Sequence, residues 1–375
     1  MLLEILWSAL LVLSIVPFGS YLLYMGMVAK RKPWNIKFDK YYEPTISIVI
    51  PTFEEERIIL AKLDNLAQVE YPKHKIEIII IDSASKDATV SLVEDWRKKH
   101  SEMQVRIIRQ TERKGMVNAL IDGLKNATGE VFVKTDADCM FFPNSIRKAL
   151  NYLSDPTVGS VAGIHKITSK KDTMPFKAEK TYREFYKILR IGESKLYGTV
   201  LYEGELMLVK RDLMTKIGFD EDVGGDDVAT ALKLASIGYR AITAEDSFFV
   251  EQTPYTWKER INQKTRRARH VFQAIWKYKY LINKKNNAFH KLILPFETYI
   301  YVINPFFVFF LIIVSILLVI QYPLLLVSVV LLLVKGVRRM FVTFLSNNLI
   351  MLRAIAMETR KREGMSWKKI NEIRE

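Results

Sequence analysis

The sequence predicts an α/β protein in which a mostly parallel sheet follows one membrane-spanning helix and precedes two more. Two observations predict this architecture. Strand-like and helix-like segments alternate through residues 45–256, which is typical of a parallel sheet with helices on both faces. Long stretches without charged residues lie on either side of that region, and such stretches are stable as helices in the hydrocarbon core of a bilayer.

The first apolar stretch covers residues 5–29 and contains no charged residue. As a helix rising about 1.5 Å per residue, it is longer than the roughly 30 Å hydrocarbon core. The alternative is a cleaved signal peptide, but the run is too long, no basic residues precede it and no small-residue cleavage site follows it. We therefore predict a membrane helix over residues 1–29 and a basic linker over residues 30–44.

The second apolar stretch covers residues 302–334 and also lacks charged residues. A single straight helix of that length would extend roughly 50 Å, which is too long for one bilayer crossing. Pro323 is a natural break, so we predict a hairpin with arms near 299–320 and 323–340. One long tilted helix is the alternative, and it would place the C-terminus on the opposite side of the membrane.

The distribution of charge predicts the orientation of these spans. The net charge is +15, and Glu4 is the only charged residue before the first apolar stretch. Basic residues crowd residues 257–291, where we predict amphipathic interface helices, and continue after the hairpin of residues 292–345 into a predicted basic cytosolic tail, 346–375. Because cytoplasmic segments carry the excess of Lys and Arg, we expect a cytoplasmic central domain in the plasma membrane of a prokaryote.

The basic charge also bears on partners. Anionic membrane lipids attract juxtamembrane Lys and Arg residues, so membrane lipids are the expected partner and nucleic acid is not.

The single cysteine, Cys139, excludes a disulfide framework and a cysteine metal site.

Within the central domain, short apolar runs predict strands and longer periodic segments predict helices. Strands are predicted over residues 45–51, 76–81, 105–108 and 131–135. Helices are predicted over residues 57–66, 88–99 and 116–127. Residues 76–81 are almost continuously apolar, as expected of a parallel strand that is buried on both faces.

Polar clusters follow three of the predicted strands, at residues 52–56, 82–87 and 136–138. In open parallel sheets, ligands bind beyond the carboxyl ends of the strands. Asp136 and Asp138 stand one residue apart, and two neighbouring carboxylates repel each other unless a cation lies between them. Mg²⁺ takes carboxylate oxygens and shares them with substrate phosphates. The pair therefore predicts a divalent metal site, and an acidic turn at a strand end is the alternative.

Five motifs carry a resemblance to a known family. They are PTFEEE (51–56), IIIIDSASKDAT (78–89), ATGEVFVKTDAD (127–138), GGDDVATALKLASIGYR (224–240) and QKTRRARH (263–270). In this order they resemble the membrane-bound family-2 glycosyltransferases of the GT-A fold. The plan of one span before the domain and a few after it is similar to that of ceramide glucosyltransferases and small polysaccharide synthases.

The resemblance implies a nucleotide-sugar donor, a UDP-sugar by analogy, held against Mg²⁺ or Mn²⁺. The implied metal ligands are Asp136 and Asp138. The implied donor-binding residues are Pro51, Thr52, Glu55, Asp82, Lys114, Asp136, Gln263, Arg266 and Arg267. Two positions depart from the family pattern: Lys114 precedes the glycine that it usually follows, and Arg267 stands where the family has tryptophan.

The resemblance also assigns the chemical step. Asp227, with Asp226 beside it, matches the general base that removes a proton from the acceptor hydroxyl. A single displacement would invert the configuration of the anomeric carbon. Because acids are also favoured at helix N-termini, capping is the alternative role for this pair. Gly204 and Glu205 match the acceptor side. For Gln263 and Arg266, the alternative to phosphate contact is the solvated face of an interfacial helix.

We therefore expect an integral-membrane, inverting glycosyltransferase with a lipid-linked or membrane-proximal acceptor. One alternative is a polyprenyl-phosphate sugar synthase, although such enzymes usually lack the Gln-x-x-Arg segment. Another is a processive polysaccharide synthase, for which three spans leave little room for a polymer channel. A non-catalytic membrane scaffold is the third, but its acids would be expected to have been lost.

Overall fold

The computed structural model describes residues 1–359, and within them eight strands form one mixed sheet. The strands are β1 (Ile46–Thr52), β2 (Ile76–Asp82), β3 (Gln104–Arg109), β4 (Val131–Thr135), β5 (Met140–Phe141), β6 (Val158–Thr168), β7 (Leu206–Lys210) and β8 (Arg240–Gln252). Their order across the sheet is β3-β2-β1-β4-β7-β6-β8-β5. The four predicted strands are β1 to β4, which are parallel to one another as expected.

Eight helices follow the first span before the later apolar region. They are α2 (Ile59–Ala67), α3 (Thr89–Lys99), α4 (Met116–Asn126), α5 (Ser145–Leu153), α6 (Met174–Leu196), α7 (Arg211–Ile217), α8 (Asp226–Ser236) and α9 (Trp257–Tyr278). The first three match the predicted helices to within about two residues, the usual uncertainty of helix ends. Ile48, Ile78 and Val133 are completely buried in the core beneath α2 and α3.

The strand register gathers the polar clusters at one edge of the sheet. Thr52 lies beside Asp82 in the parallel pair β1–β2, and Asp136 follows the last residue of the neighbouring β4. Strand β7 runs antiparallel to β4 and pairs Leu206 with Thr135. The residues just before β7 therefore meet the residues just after β4.

Three helical segments within residues 1–359 are long and apolar enough to cross a membrane. They are α1 (Leu2–Arg31), a continuous helical stretch over Phe289–Gln321 that contains α10 (Leu294–Thr298) and α11 (Asn304–Gln321), and α12 (Lys335–Thr359). One segment before the domain and two after it confirm the predicted fold class, an α/β GT-A-like domain with three apolar helices.

The second arm of the predicted hairpin is placed differently in the structure. Pro323–Leu333 forms a 3₁₀ segment, and the next long helix is α12 rather than residues 323–340. The sequence analysis followed the uncharged run, whereas α12 carries Lys335, Arg338 and Arg353 along its length. The tail predicted from residue 346 therefore begins inside α12, and its remainder, residues 360–375, lies outside the described residues.

Helix α6 packs on α1, α12 and β8, and α9, which begins the region predicted to form interface helices, packs on α8 and α12. Helix α1 packs on α6, and a Cβ added at Gly192 would come within 2.5 Å of the Met25 carbonyl oxygen. The Tyr21 hydroxyl donates to Glu193 Oε1 at 2.6 Å. These close contacts attach the catalytic domain firmly to the first apolar helix.

Candidate active site

A cavity of about 910 Å³ opens at the carboxyl edge of the sheet and continues to α1 and α12. It brings together every predicted site residue except Asp82. The residues that line it are Pro51, Thr52, Glu55, Lys114, Asp136, Asp138, Gly204, Glu205, Asp226, Asp227, Gln263, Arg266 and Arg267. Residues more than 200 positions apart in the chain thus share one space, while their individual roles stay predictions.

Asp82 is placed differently. Its side chain is 0% exposed at the end of β2, and Oδ2 accepts a hydrogen bond from the Ser85 backbone N–H at 3.1 Å. That bond stabilises a turn in which Ala84 has a φ of +59°. The next residue, Ser83, lines the cavity instead. Asp82 thus lies behind the cavity wall with its Oδ1 unpartnered within residues 1–359, and its assignment to donor binding stays a prediction.

Asp136 and Asp138 are partly exposed on the loop that follows β4. Burial raises the pKa of Asp136 to about 6, against the opposing effect of the Lys134 ammonium. No group of three or more His, Cys, Asp or Glu side chains within residues 1–359 has the arrangement of a metal site. Two carboxylates suit a cation that takes its other ligands from substrate phosphates and water, as Mg²⁺ usually does.

Lys62 holds the loop that carries Asp136 and Asp138 in place through hydrogen bonds to its two ends. Its Nζ donates to Thr135 Oγ1 at 2.9 Å and to the Cys139 carbonyl at 2.5 Å, and it lies 4.0 Å from the centre of the Phe141 ring. Burial lowers its pKa to about 8. The sequence analysis missed Lys62, although it lies among the core positions Ile59, Leu63 and Leu66 of α2, where a charged residue is unexpected.

Lys134 is a second missed residue, a cation inside the otherwise apolar strand β4. Its Nζ forms an ion pair with Asp226 Oδ2 at 2.5 Å. Burial alone would lower the pKa of Lys134, but the Asp226, Asp136 and Asp227 carboxylates outweigh it and hold the pKa above its ordinary value. A Cβ at Gly204 would lie 2.8 Å from Lys134 Nζ and 3.3 Å from Asp227 Oδ2, so a side chain there would displace the Lys134 ammonium or crowd Asp227.

The two adjacent acids at the start of α8 have different surroundings. Asp226 is buried and engaged by Lys134, whereas Asp227 is partly exposed and its Oδ1 accepts from the Val228 N–H at 2.7 Å. Burial, and then the neighbouring Asp226 charge, raise the pKa of Asp227 to about 7. A carboxylate with a pKa near 7 is suited to general base catalysis, and this favours Asp227 over Asp226 for that step.

Arg267, at the position where the resembled family pattern has tryptophan, forms ion pairs with two carboxylates. One guanidinium nitrogen lies 2.8 Å from Glu205 Oε1 and 3.6 Å from Glu251 Oε1. Burial would lower its pKa, but these two carboxylates raise it above its ordinary value. Arg267 therefore offsets the negative charge of Glu205. Glu251, at the end of β8, was missed because only the fold brings it to Arg267.

His270 lies one turn beyond Arg266 and also lines the cavity. A Cβ added to Gly224 would overlap its imidazole ring, and Gln273 Oε1 accepts from the Gly224 N–H at 3.3 Å. Burial lowers the pKa of His270 to about 3, so the ring is neutral near pH 7. Helix α9 thus packs against the glycine loop that leads into Asp227.

A buried charge network lies between these groups and the apolar helices. Its members are Glu179, Arg183, Arg190, Glu203, Arg260 and Lys264. Arg183 contacts both acids, at 3.0 Å from Glu179 and 2.5 Å from Glu203. Lys264 lies 3.1 Å from Glu179 and over the Tyr182 ring. Three arginines and Lys264 thus surround two carboxylates, and burial lowers the pKa of Lys264 well below its ordinary value.

The comparisons with known proteins agree with one another, because each finds glycosyltransferases. Residues 47–218 match glycosyl transferase family 2. Two curated relatives are a poly-beta-1,6-N-acetyl-D-glucosamine synthase of Staphylococcus epidermidis, 24% identical over 62% of the chain, and a dolichol-phosphate mannosyltransferase of Pyrococcus furiosus, 34% identical over 31%. The matched regions cover only 58% and 32% of those two relatives.

A similar solved structure covers nearly the whole chain. It is a mannosyltransferase from Pyrobaculum calidifontis in complex with GDP-Man and Mn²⁺, with a TM-score of 0.82 and 33% identity. The match includes 96% of this chain and 100% of that one. Fold, sequence and the order of the motifs therefore agree, and the chain belongs to glycosyl transferase family 2.

Proposed function

We propose that the protein is a metal-dependent, inverting glycosyltransferase that moves a sugar from a nucleoside diphosphate to a hydroxyl of a lipid-linked or membrane-proximal acceptor. One observation carries the proposal. The carboxylates at the end of β4 and the first-turn carboxylate of α8 line the same cavity, and that cavity extends to the apolar helices. Donor, base and membrane-embedded acceptor would then meet in one space.

The donor is the least specific part of this proposal. The motifs alone suggest a UDP-sugar by family analogy. Similarity along nearly the full chain to a structure that holds GDP-Man favours GDP-mannose as the first donor to test. Pro51, Thr52 and Glu55 would bound the nucleotide pocket at the end of β1, and Lys114 and Arg266 would supply positive charge for the phosphates.

The residues present fit a divalent cation. Asp136 and Asp138 offer carboxylate oxygens on a short loop, and Lys62 holds the main chain of that loop in place. Mg²⁺ or Mn²⁺ bound there would offset the negative charge of the leaving diphosphate.

The chemical step follows from the position of Asp227. Its carboxylate would accept the proton of the acceptor hydroxyl while that oxygen bonds to the anomeric carbon. The bond from the anomeric carbon to the diphosphate breaks in the same step, and its electron pair leaves with the nucleotide. Lys134 would pair with Asp226 beside the base and so hold the start of α8 in place. Attack opposite to the leaving group inverts the configuration.

The orientation in the membrane is also a proposal. Basic residues concentrate on the side of the catalytic domain, and this excess marks the cytoplasmic side in most membrane proteins. Sugar nucleotides would then reach the site from the cytoplasm, and the acceptor from the membrane. Gln263 and Arg266, which line the cavity, favour this reading over a polyprenyl-phosphate sugar synthase, while similarity to a polysaccharide synthase keeps processive transfer as the second candidate.

The experiment is a donor-hydrolysis screen of the purified full chain in detergent. GDP-mannose, UDP-glucose and UDP-N-acetylglucosamine are each incubated with Mn²⁺, Mg²⁺ or EDTA, and released nucleotide is measured. We expect metal-dependent release from one donor, which Asp138→Asn abolishes. Asp95→Asn, at an exposed acid of α3, is the matched control and should behave as the parent chain.

Two outcomes would contradict the proposal. Turnover that EDTA and Asp138→Asn leave unchanged would remove the metal assignment. Failure of the chain to bind any nucleoside diphosphate, measured by calorimetry with and without Mn²⁺, would favour a non-catalytic scaffold.

A further inference from the structure

Three polar side chains from distant parts of the chain meet on the cavity wall beside the catalytic loops. They belong to Glu205, just before β7, to Glu251, near the end of β8, and to Arg267 of α9, and all three line the cavity. One Arg267 nitrogen lies 2.8 Å from Glu205 Oε1 and 3.6 Å from Glu251 Oε1. A single guanidinium group thus joins two carboxyl groups, and we call these three residues the carboxyl–arginine cluster.

The Glu205 side of the cluster lies between the proposed base and the proposed metal loop. A Cβ at Gly204, the residue before Glu205, would come within 3.3 Å of Asp227 Oδ2. In the other direction, the Cys139 thiol donates to the Glu205 carbonyl at 3.4 Å, and Cys139 directly follows Asp138. The main chain at Glu205 therefore connects the start of α8 with the loop after β4.

Glu251 approaches the same loop through the sheet. Strand β5 pairs Met140 with Val250, so Glu251 adjoins the end of the loop that carries the two aspartates. Its side chain is more than nine-tenths buried but lines the cavity. Oε2 lies 3.3 Å from His165 Nε2 without the geometry of a hydrogen bond, and it has no hydrogen-bond partner within residues 1–359. A buried polar atom left without a partner is costly, which indicates that a ligand supplies one.

The neighbours of Glu251 favour a neutral polar ligand. Burial lowers the pKa of His165 to about 3, so the imidazole is uncharged near pH 7. Burial also raises the pKa of Glu251 well above its ordinary value, against the opposing effect of Arg267. A protonated carboxyl both donates and accepts hydrogen bonds, as a hydroxyl does. The pair of Glu251 and His165 thus suits an alcohol better than an ion.

The proposed reaction places the transferred sugar beside this cluster. The diphosphate of the donor would be held at Asp136 and Asp138, and the acceptor oxygen would lie at Asp227. The sugar that joins the diphosphate to the point of attack then lies between these groups. Glu205 and Glu251 border that space, and the ring hydroxyls of a sugar are partners for carboxyl and guanidinium groups alike.

We propose that the carboxyl–arginine cluster selects the transferred sugar, and that Glu251 is a specificity-determining residue which hydrogen-bonds one of its hydroxyls. Arg267 fixes the spacing of Glu205 and Glu251 through its two contacts. This inference rests on the proposed function, since it names a further residue of the same site. A site built to bind a hydroxyl rejects an analogue that lacks it, because the buried group of the protein then stays unpaired.

The test compares donors that differ by one hydroxyl. Hydrolysis of GDP-mannose and of its monodeoxy analogues is measured with Mn²⁺ on the full chain in detergent; if the screen selects UDP-glucose, its analogues replace this series. No acceptor is added, so any effect belongs to the donor sugar. Glu251→Ala removes the carboxyl, and Glu251→Asp withdraws it by one methylene. Glu94→Ala, at an exposed position of α3, is the matched control.

In the parent chain, we expect kcat/KM to fall by about 10²-fold or more for the analogue that lacks the hydroxyl bound by Glu251. Glu251→Ala should lower kcat/KM for GDP-mannose by a similar factor but leave that one analogue nearly unchanged, because its hydrogen bond is already absent. The other analogues should lose as much as GDP-mannose does. Glu251→Asp should give the same pattern more weakly, and Glu94→Ala should behave as the parent. Comparison of variants on the same donor cancels differences in intrinsic reactivity.

An equal loss for every donor would show that Glu251 is only structural and would overturn the inference, as would an unchanged kcat/KM in both Glu251 variants. Unfolding curves report whether each variant is folded, and Glu251→Asp provides the test if Glu251→Ala is not. Calorimetric binding of the same donors with Mn²⁺ gives the same comparison without turnover. A chain that binds the donors with this pattern but hydrolyses none would refute the enzymatic proposal and leave the sugar subsite standing.

Discussion

The two walls of the cavity are built on different principles. The sheet wall presents Asp136, Asp138 and Asp227 on short loops and a helix start, partly exposed to the cavity. The membrane wall is made of long helices, and the acids behind it, Glu179 of α6 and Glu203 of the loop before β7, are buried and paired with arginines and a lysine. Carboxylates that act on a ligand must be accessible from the cavity (a reachable wall), whereas charges that only form the cavity wall can be fixed by ion pairs (a paired wall). The comparison teaches that a carboxylate's partners indicate its task.

Substitution of a reachable acid should give the largest effect on rate. Asp227→Asn keeps the size of the side chain but removes its ability to accept a proton, so we expect kcat to fall by about 10²–10⁴-fold. Binding of the donor nucleotide should remain, because the variant keeps the Asp136 and Asp138 loop. Steady-state kinetics with the donor identified by the screen, together with nucleotide binding, check both statements.

The matched variant for this experiment is Asp226→Asn, at the neighbouring acid. It leaves Lys134 buried without its 2.5 Å partner and should lower the unfolding temperature. If Asp226→Asn reduced kcat while stability was retained and Asp227→Asn did not, the base would be Asp226, and the assignment from burial and pairing would be wrong.

A substitution in the paired wall should act on stability. Glu203→Ala removes the carboxylate that Arg183 and Arg190 share, and it leaves two buried guanidinium groups facing each other. Removing one partner of a buried ion pair typically costs about 3–5 kcal/mol. We expect a clear drop in the unfolding temperature in detergent, measured by differential scanning fluorimetry. Glu94→Ala, at an exposed position of α3, should change it little.

If Glu203→Ala kept its unfolding temperature but lost transfer to a lipid acceptor, Glu203 would act on the ligand. Accessible carboxylates could then not be separated from ion-paired ones by function, because Glu203 pairs with both Arg183 and Arg190.

The same division explains what could be predicted from the sequence. Strands β1 to β4 and the acids after them follow from local patterns, since an apolar run such as Val131–Thr135 and its polar end are adjacent in the chain. The paired wall depends on contacts such as that between Arg183 and Glu203, 20 positions apart. Neither residue signals its partner, so the network could not be predicted.

Two signals in the sequence could have been used. Lys62 and Lys134 each interrupt an apolar pattern, and both turn out to be buried cations beside the catalytic loops. Conversely, Asp82 fits the family motif but is turned into the 82–85 loop, because its carboxylate bonds the Ser85 amide. A motif thus predicts which strand end carries an acid, but the turn that follows decides where the acid points.

Lys62 combines features of both walls, since it is buried but supports the accessible loop that carries Asp136 and Asp138. Lys62→Met keeps the length of the side chain and removes the two hydrogen bonds to Thr135 and Cys139. Groups that orient metal ligands typically contribute about 10–100-fold in metal affinity or activity. We expect the Mn²⁺ concentration for half-maximal rate to rise by about tenfold or more, with a smaller change in kcat at saturating metal.

Lys62→Arg is the conservative comparison, since it keeps the charge and the donors. Partial recovery of Mn²⁺ dependence in this variant would support positioning of the loop. If Lys62→Met lowered the unfolding temperature but left the Mn²⁺ dependence unchanged, Lys62 would be only a structural residue.

A change of pH tests the reachable wall without substitution. Burial and the Asp226 charge raise the pKa of Asp227 to about 7, so the base is protonated below that pH and ionised above it. The kcat should therefore rise with pH, by about tenfold per unit below pH 7, and level off above it. Donor binding over the same range is the control, because burial raises the pKa of Asp136 only to about 6 and its protonation acts on binding. A kcat that is flat between pH 5 and 8 would mean that proton removal by Asp227 does not limit the reaction. The contrast between the reachable wall and the paired wall would then rest on the substitutions alone.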